Sequence, residues 1–387
     1  MPVPAAPTPA HYTTLANICS SGNFVFFLGA GVNYAQRQGG SKNYLPTGAE
    51  LAVKLAQDYG FPDTQTVLNW KTQWQTVKGK LQAAIAAQDW SIVEQAADLA
   101  SKLVFPNLAR VSQFADTMRP PSATTLQEAL HNLFSQRYEP TDLHEVLAHI
   151  PSLVTSVNRK PIFITTNYDT VLEHALAERN EPFDVVYYRE PPNADVPCYR
   201  HWKNAHKHFR GEERSFSSTH TEITPLQSYA DLPLGADEAL RPASDPKCAR
   251  VIIVKIHGTV APDAFDESGF VITSDHYVNF LRRVEVSNPL PKFLASRMIH
   301  CHFLFLGYGL QDVNILVICQ NLWGQRTKKT LNNWAVKVNA TEFDEKYWAS
   351  EEHGKVTMFN CDLTAYAQAL KAALPPDPLA VPPTPIS

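Results

Sequence analysis

The chain of 387 residues has no long apolar run. No stretch reaches the roughly 18 consecutive apolar residues of a membrane span. Met1 to Ala10 is rich in Pro and Ala and lacks both a basic region and an apolar core, so it does not read as a signal peptide. The expectation is a soluble, cytoplasmic protein with no membrane partner. Paired cysteines are also missing. The six cysteines, Cys19, Cys198, Cys248, Cys301, Cys319 and Cys361, form no C-x-x-C pair, which argues for a reducing compartment instead of a disulfide framework. There is no excess of either charge. Lys and Arg number 34 against 38 Asp and Glu, for a net charge of −4, so direct nucleic-acid binding is not expected. Neither G-x-x-x-x-G-K-[ST] nor G-x-S-x-G occurs, which removes the P-loop NTPase and the serine-hydrolase elbow.

What is present is enough apolar residue for a sizeable core: 44% hydrophobic against 19% charged. Phe24 to Leu28 is a continuous apolar run bounded by Gly22 and Gly29 and reads as a buried strand. Similar runs occur at Pro161 to Thr165, Val251 to Ile256, Phe303 to Leu306, Trp334 to Val338 and Val356 to Phe359, with a short strand at Val271-Ile272. Helical stretches separate them: Thr13 to Ser20, one capped by Thr47 and running through Tyr59, one from Asp275, Leu290 to Ile299, and Leu363 to Leu374. Such alternation predicts parallel βαβ units. Two stretches break the pattern. Residues 61–150 are dominated by helix formers and read as a helical insertion, with Trp70, Trp74 and Trp90 as packing anchors. Residues of about 189–250 are rich in Pro, Ser, His and charge, and read as an insertion with little regular structure. The expected fold is therefore α/β: a Rossmann-like parallel sheet over residues 1–60 and 151–380, carrying both insertions, with a frayed tail at 375–387.

The unusual polar residues fall at strand ends, where open parallel sheets bind ligands. Gly29-Ala30-Gly31 follows the first strand. Glycines there let backbone N–H groups approach a phosphate, although a tight strand-to-loop turn explains them equally. Thr166-Asn167-Tyr168-Asp169 follows the second. Asn167 suits ribose hydroxyls or a positioned water, and Asp169 an amide or hydroxyl donor, but both residues also favour helix N-caps. His257-Gly258 follows the third, where the imidazole suits a general base or simply a backbone hydrogen bond. Gly307-Tyr308-Gly309 makes a further glycine loop, ahead of Asp312. Cys198, His201, His206 and His208 hint at a metal, but without a paired knuckle no metal is expected.

Taken in order, these segments resemble the sirtuin family. Its pattern is a G-A-G-x-S loop, a T-x-N-x-D strand end, an H-G after a strand and a later G-[TS]-S loop. Here the matching segments are G-A-G-V-N at Gly29 to Asn33, T-T-N-Y-D at Thr165 to Asp169, K-I-H-G at Lys255 to Gly258 and G-Y-G-L at Gly307 to Leu310. The departures point one way. The two C-x-x-C pairs that hold zinc in deacylating sirtuins are absent, and Leu45-Pro46-Thr47-Gly48 stands where those enzymes have an Asp-Phe-Arg segment. The chain thus resembles the divergent bacterial sirtuin-like domains of antiphage defence, most of all the subunit that works with a HerA-type hexameric ATPase.

That resemblance implies an NAD⁺ glycohydrolase with NAD⁺ as substrate, releasing nicotinamide and ADP-ribose and depleting the cell of NAD⁺. Asn167 would hold the ribose hydroxyls and the attacking water, with His257 as general base. Gly29, Ala30 and Gly31 would cradle the pyrophosphate, and Asp169 would shape the nicotinamide side. Gly307 and Gly309 would admit the adenosine half, with Asn33, Thr166 and Tyr308 completing the dinucleotide site. A homo-oligomer and a regulating ATPase partner are expected. The alternatives are a non-catalytic NAD⁺ or ADP-ribose sensor, for which a base such as His257 would have no use, and an NAD-dependent protein deacylase or ADP-ribosyltransferase.

Overall fold

The computed structural model describes residues 5–34, 45–62, 72–73, 75–80, 82–83, 86–87, 89, 91–92, 107–120, 122–154, 160–190, 199–212, 222–225, 251–261, 265–283, 290–308, 310, 313–326, 331–351 and 353–376. They divide into two compact units: Met1–Leu45, Leu130–Val271 and Val278–Ser387 in the first, and Pro46–Ala129 with Ile272–Tyr277 in the second.

The first unit is built on a nine-stranded sheet. Helix α1 (Pro9–Cys19) leads into strand β1 (Phe24–Leu28). Helix α2 (Gly48–Asp58) and helix α3 (Leu108–Thr117) belong to the second unit, and α4 (Leu126–Phe134) leads back into the first. Then come α5 (Asp142–His149), β2 (Ile162–Thr165), α6 (Val171–Glu178), β3 (Phe183–Tyr188), β4 (Tyr199–Lys203), α7 (Ala205–Phe209), β5 (Glu222–Pro225) and β6 (Val251–Lys255). A small antiparallel pair follows, β7 (Gly258–Thr259) and β8 (Gly269–Phe270). The chain continues through α8 (Ser274–Arg283), α9 (Lys292–Met298), β9 (His302–Leu306), α10 (Val313–Gly324), β10 (Asn333–Val336), α11 (Glu342–Ala349), β11 (Val356–Phe359) and α12 (Leu363–Ala373).

The strand order is β11-β10-β9-β1-β2-β6-β3-β4-β5. Every pairing from β11 to β3 is parallel; β4 and β5 extend the sheet antiparallel. This is the expected Rossmann-like α/β architecture. All five residues of β1 and all five of β6 are buried, as a parallel sheet covered on both faces requires. On one face Phe26, Phe163, Ile253 and Leu304 pack with Leu15 of α1, Leu147 of α5, Leu176 of α6 and Tyr366 of α12. On the other, Phe303 and Phe305 meet Trp323 of α10.

Strands β3, β4 and β5 were not predicted. In β3 the apolar run is interrupted by Asp184, whose cost of burial is met by tertiary partners: its carboxylate lies 3.1 Å from His201 Nε2 and accepts the Asn204 N–H at 2.8 Å. Strand β4 reads Tyr-Arg-His-Trp-Lys, with no clean alternation, and forms because β3 supplies an edge to pair with. Thus the stretch expected to be irregular contributes two strands and a helix. Its residues 191–198, 213–221 and 226–250 lie outside the described residues, as do Trp70, Trp74 and Trp90 and the tail from 377. Val271 and Ile272 are not a strand; the short strand falls just before them, at Gly269–Phe270. Helix α5 passes into a 3-10 turn from Ile150, where Pro151 breaks the α-helical bonding.

In the second unit α2 starts as expected at Thr47. The Thr47 hydroxyl accepts the Glu50 N–H and Glu50 accepts the Thr47 N–H, a reciprocal capping box. Phe61 and Phe114 meet edge to face, and the Tyr59 hydroxyl donates to the Thr124 carbonyl at 2.9 Å.

Candidate functional site

Four adjacent strands, β9-β1-β2-β6, end in one row. The register sets Leu306 beside Leu28, Leu28 beside Thr165, and Thr165 beside Lys255. At about 4.8 Å per strand the row spans roughly 14 Å. All four motifs singled out in the sequence leave the sheet along this edge. The chain runs from β1 to β2 in one direction and places β9 on the other side of β1, so the switch point of the sheet lies between the Gly29 and Gly307 loops.

Those two loops pack directly on each other. Gly29 N–H donates to Leu306 O at 3.0 Å and Gly31 N–H to Gly307 O at 2.9 Å. A Cβ on Gly31 would stand 2.7 Å from Gly307 Cα, and one on Gly29 would stand 2.6 Å from the Tyr308 ring. Gly307 adopts φ +63 and Leu310 φ +54, so this turn holds two left-handed residues, one of them not glycine. Close backbone approach is thus what these glycines provide. From Ala30 the chain makes a 3-10 turn to Asn33. Tyr308 is half-buried; Gly309 and Asp312 lie outside the described residues.

Asn33 is buried and reaches across to the next strand end. Its Nδ2 donates to Asp169 Oδ2 at 2.9 Å, while its Oδ1 is buried without a partner among the described residues. Asp169 Oδ1 accepts the Val171 N–H at 3.1 Å, so this carboxylate satisfies the first amide of α6 from one residue before its N-cap, Thr170, as well as meeting Asn33. Asn167 does not cap. Its Nδ2 donates to Gly29 O at 3.3 Å, and its own N–H is taken by the Thr165 hydroxyl at 3.0 Å, which leaves its side-chain carbonyl without a bond among the described residues. Thr166 donates its N–H weakly to Leu28 O, at 3.4 Å.

His257 is buried, with its ring edge-on to Phe280 at 6.0 Å, and its carbonyl accepts the Val271 N–H at 2.8 Å. The glycine after it is obligatory. Gly258 has φ +92, and a Cβ there would lie 2.0 Å from Gly269 O. The His257 loop and the Asn167 loop run side by side, joined by Ile256 N–H to Thr165 O and Val260 N–H to Tyr168 O, both 3.1 Å.

Beneath the site lie charged and polar residues to which the sequence reading gave no role. Lys255 is fully buried; its ammonium donates to the Asp169 carbonyl and, at 2.7 Å, to Glu173 of α6. Burial pushes the Glu173 carboxyl above its usual range, and Lys255 counters that push. His144 of α5 is buried with Nδ1 2.9 Å from the Thr141 hydroxyl, and burial pulls it down to about 4, against a weaker opposite effect of Asp169. The signal in the sequence was charge inside apolar segments: a lysine closing V-I-I-V, and a glutamate on the inward face of V-L-E-H-A-L.

The histidines considered for a metal have other engagements. His201 pairs with Asp184, and His206 Nδ1 lies 3.2 Å from the backbone of Phe183. Among the described residues no group of three or more His, Cys, Asp or Glu is arranged to hold a metal ion. No described helix is long and apolar enough to cross a membrane.

Residues 161–354 match the family model of the SIR2-like domain, half of the chain's length. The match takes in the Asn167, His257 and Gly307 segments and begins after β1 and its glycine loop. No curated protein matches the chain.

Proposed function

The chain belongs to the SIR2-like domain family, whose members are NAD-dependent enzymes, and on that premise we propose that it is an NAD⁺ glycohydrolase. The observation that carries the reading is the joining of the Asn167 and His257 loops at neighbouring strand ends, with the Asn33–Asp169 pair beside them. The residues fit such a ligand. Asn33 Oδ1 is a buried acceptor without a donor among the described residues, and a polar atom left so is costly unless a ligand or water meets it.

NAD⁺ brings a cationic leaving group, so nicotinamide departs without a general acid. What remains for the protein is orientation and delivery of a water. Asn167 would orient the ribose hydroxyls and the water through its side-chain carbonyl. His257 would take the proton at its imidazole. Asp169 and Asn33 would face the nicotinamide side. Gly29, Ala30 and Gly31 would lie along the pyrophosphate, with Thr166 beside them. Gly307, Tyr308 and Gly309 would border the adenosine half. The proposed setting is cytoplasmic antiphage defence, in which a homo-oligomer is restrained or triggered by a HerA-type ATPase; this part rests on the family resemblance.

The test is chromatographic product analysis of the purified protein with NAD⁺, beside His257→Ala. Nicotinamide and ADP-ribose are expected from the wild type, and none from the variant, which retains NAD⁺ binding. Absence of nicotinamide release, both alone and with the ATPase added, would overturn the proposal. Light scattering tests the oligomer.

A further inference from the structure

Lys255 is the fully buried lysine among the described residues, and its pairing with Glu173 is a poor device for stability alone. The desolvation of two charges rivals their attraction, and apolar residues of similar volume commonly serve as well or better. An apolar pair, however, cannot donate a hydrogen bond. The Lys255 ammonium does, to the main-chain carbonyl of Asp169.

The placement of that bond is informative. Lys255 ends β6, two residues before His257, and Asp169 lies two residues after Asn167. Two main-chain bonds also join these segments, Ile256 N–H to Thr165 O and Val260 N–H to Tyr168 O. To these the Lys255 side chain adds a link that reaches past Tyr168 to Asp169, where the Asn167 loop enters α6. Glu173, in the first turn of α6, holds the ammonium from the other side and neutralises its charge close to a site meant for a cationic ring.

We propose that Lys255 is a positioning residue that fixes the Asn167 loop against the His257 loop, with Glu173 offsetting the cost of burying its ammonium. The role in turnover rests on the NAD⁺ glycohydrolase reading; the role in holding the loop does not.

The experiment compares wild type, Lys255→Met/Glu173→Met and Glu173→Gln by urea titration, by hydrogen exchange of peptides covering residues 166–171, and by NAD⁺ turnover. In the double variant the charges are removed together, so the urea midpoint stays near that of the wild type. The 166–171 amides exchange about 10-fold faster or more. Turnover falls by about 10- to 100-fold with KM little changed, because misplaced groups lose rate before affinity. Glu173→Gln keeps the lysine donor and therefore keeps loop protection, even where overall stability falls. Unchanged 166–171 exchange in a folded double variant would overturn the proposal. So would equal loosening in Glu173→Gln, a test that holds even where the double variant fails to fold. A wild type inert toward NAD⁺, with loop exchange still rising in the double variant, would sink the glycohydrolase reading and leave the positioning role standing.

Discussion

Replacing Gly31 by alanine probes the meeting of the two glycine loops at the switch point of the sheet. The new Cβ would stand 2.7 Å from Gly307 Cα and 2.8 Å from Gly307 O, where ordinary contacts begin at 3.4 Å. Both obstacles are backbone, so no side chain can rotate away. The loops must separate by about 0.7 Å (3.4 less 2.7), which stretches the 2.9 Å bond from Gly31 N–H to Gly307 O past useful length. Loss of that bond costs about 1 kcal/mol. Overpacking against a rigid neighbour adds about 1–3 kcal/mol. Destabilisation of about 2–4 kcal/mol follows from the two together, read as a lower urea midpoint at unchanged slope. Gly324→Ala is the control. Gly324 ends α10 with no atom within 4 Å of an added Cβ, so this change is neutral or stabilising by up to about 1 kcal/mol. The loop separation also weakens NAD⁺ binding by calorimetry in Gly31→Ala but not in the control. A Gly31→Ala protein within about 0.5 kcal/mol of wild type would refute the claim that backbone approach requires a glycine at position 31.

Two further outcomes are expected. Asn33→Ala removes the 2.9 Å bond to the Asp169 carboxylate and leaves that buried group short of a donor, which costs about 1.5–3 kcal/mol in urea titration; Asn33→Asp sets two carboxylates together and is the worse of the two, and the opposite ranking would argue against the pair. Burial pulls His11, His144 and His174 down to about 4 from 6.5, so between these values the folded chain binds fewer protons than the unfolded one. Stability is therefore lost as pH falls through that window, and levels off below it as far as these groups are concerned. Urea midpoints measured across it fall with pH in the wild type and fall less steeply in His144→Gln; identical slopes would show that His144 takes no part.

The central sheet was legible because its strands β1, β2, β6 and β9 are apolar runs with a glycine or proline close to at least one end, and a run of that kind reports burial on both faces. Strand β3 was hidden by Asp184, whose cost is offset by His201 and Asn204, partners about 20 residues away that no local pattern reveals. The candidate site divides the same way. Asn167 and His257 could be picked out because each follows a strand directly. Asn33 was found only through its place in a motif, and its bond to Asp169 spans 136 residues. Lys255 was visible as a charge at a strand end, but that it reaches the Asp169 carbonyl depends on the β2–β6 register, which the sequence does not carry.

The glycine loops show why a motif and its chemistry should be argued separately. In the structure the amides of Gly29 and Gly31 are taken by Leu306 and Gly307, and that of Val32 by Gly29 O. Ala30 N–H, first in its 3-10 turn, is the amide of that run without a bond among the described residues. A pyrophosphate lying along this loop would therefore find one ready donor, not three. Recruiting Gly31 N–H would cost the bond to Gly307 O, about 1 kcal/mol, and would open the contact between β1 and β9 that the absence of a Cβ makes possible. The sharper signal in the sequence thus reports the packing of two strand ends, and the proposed chemistry rests on the less conspicuous polar residues Asn33, Asp169, Asn167 and His257.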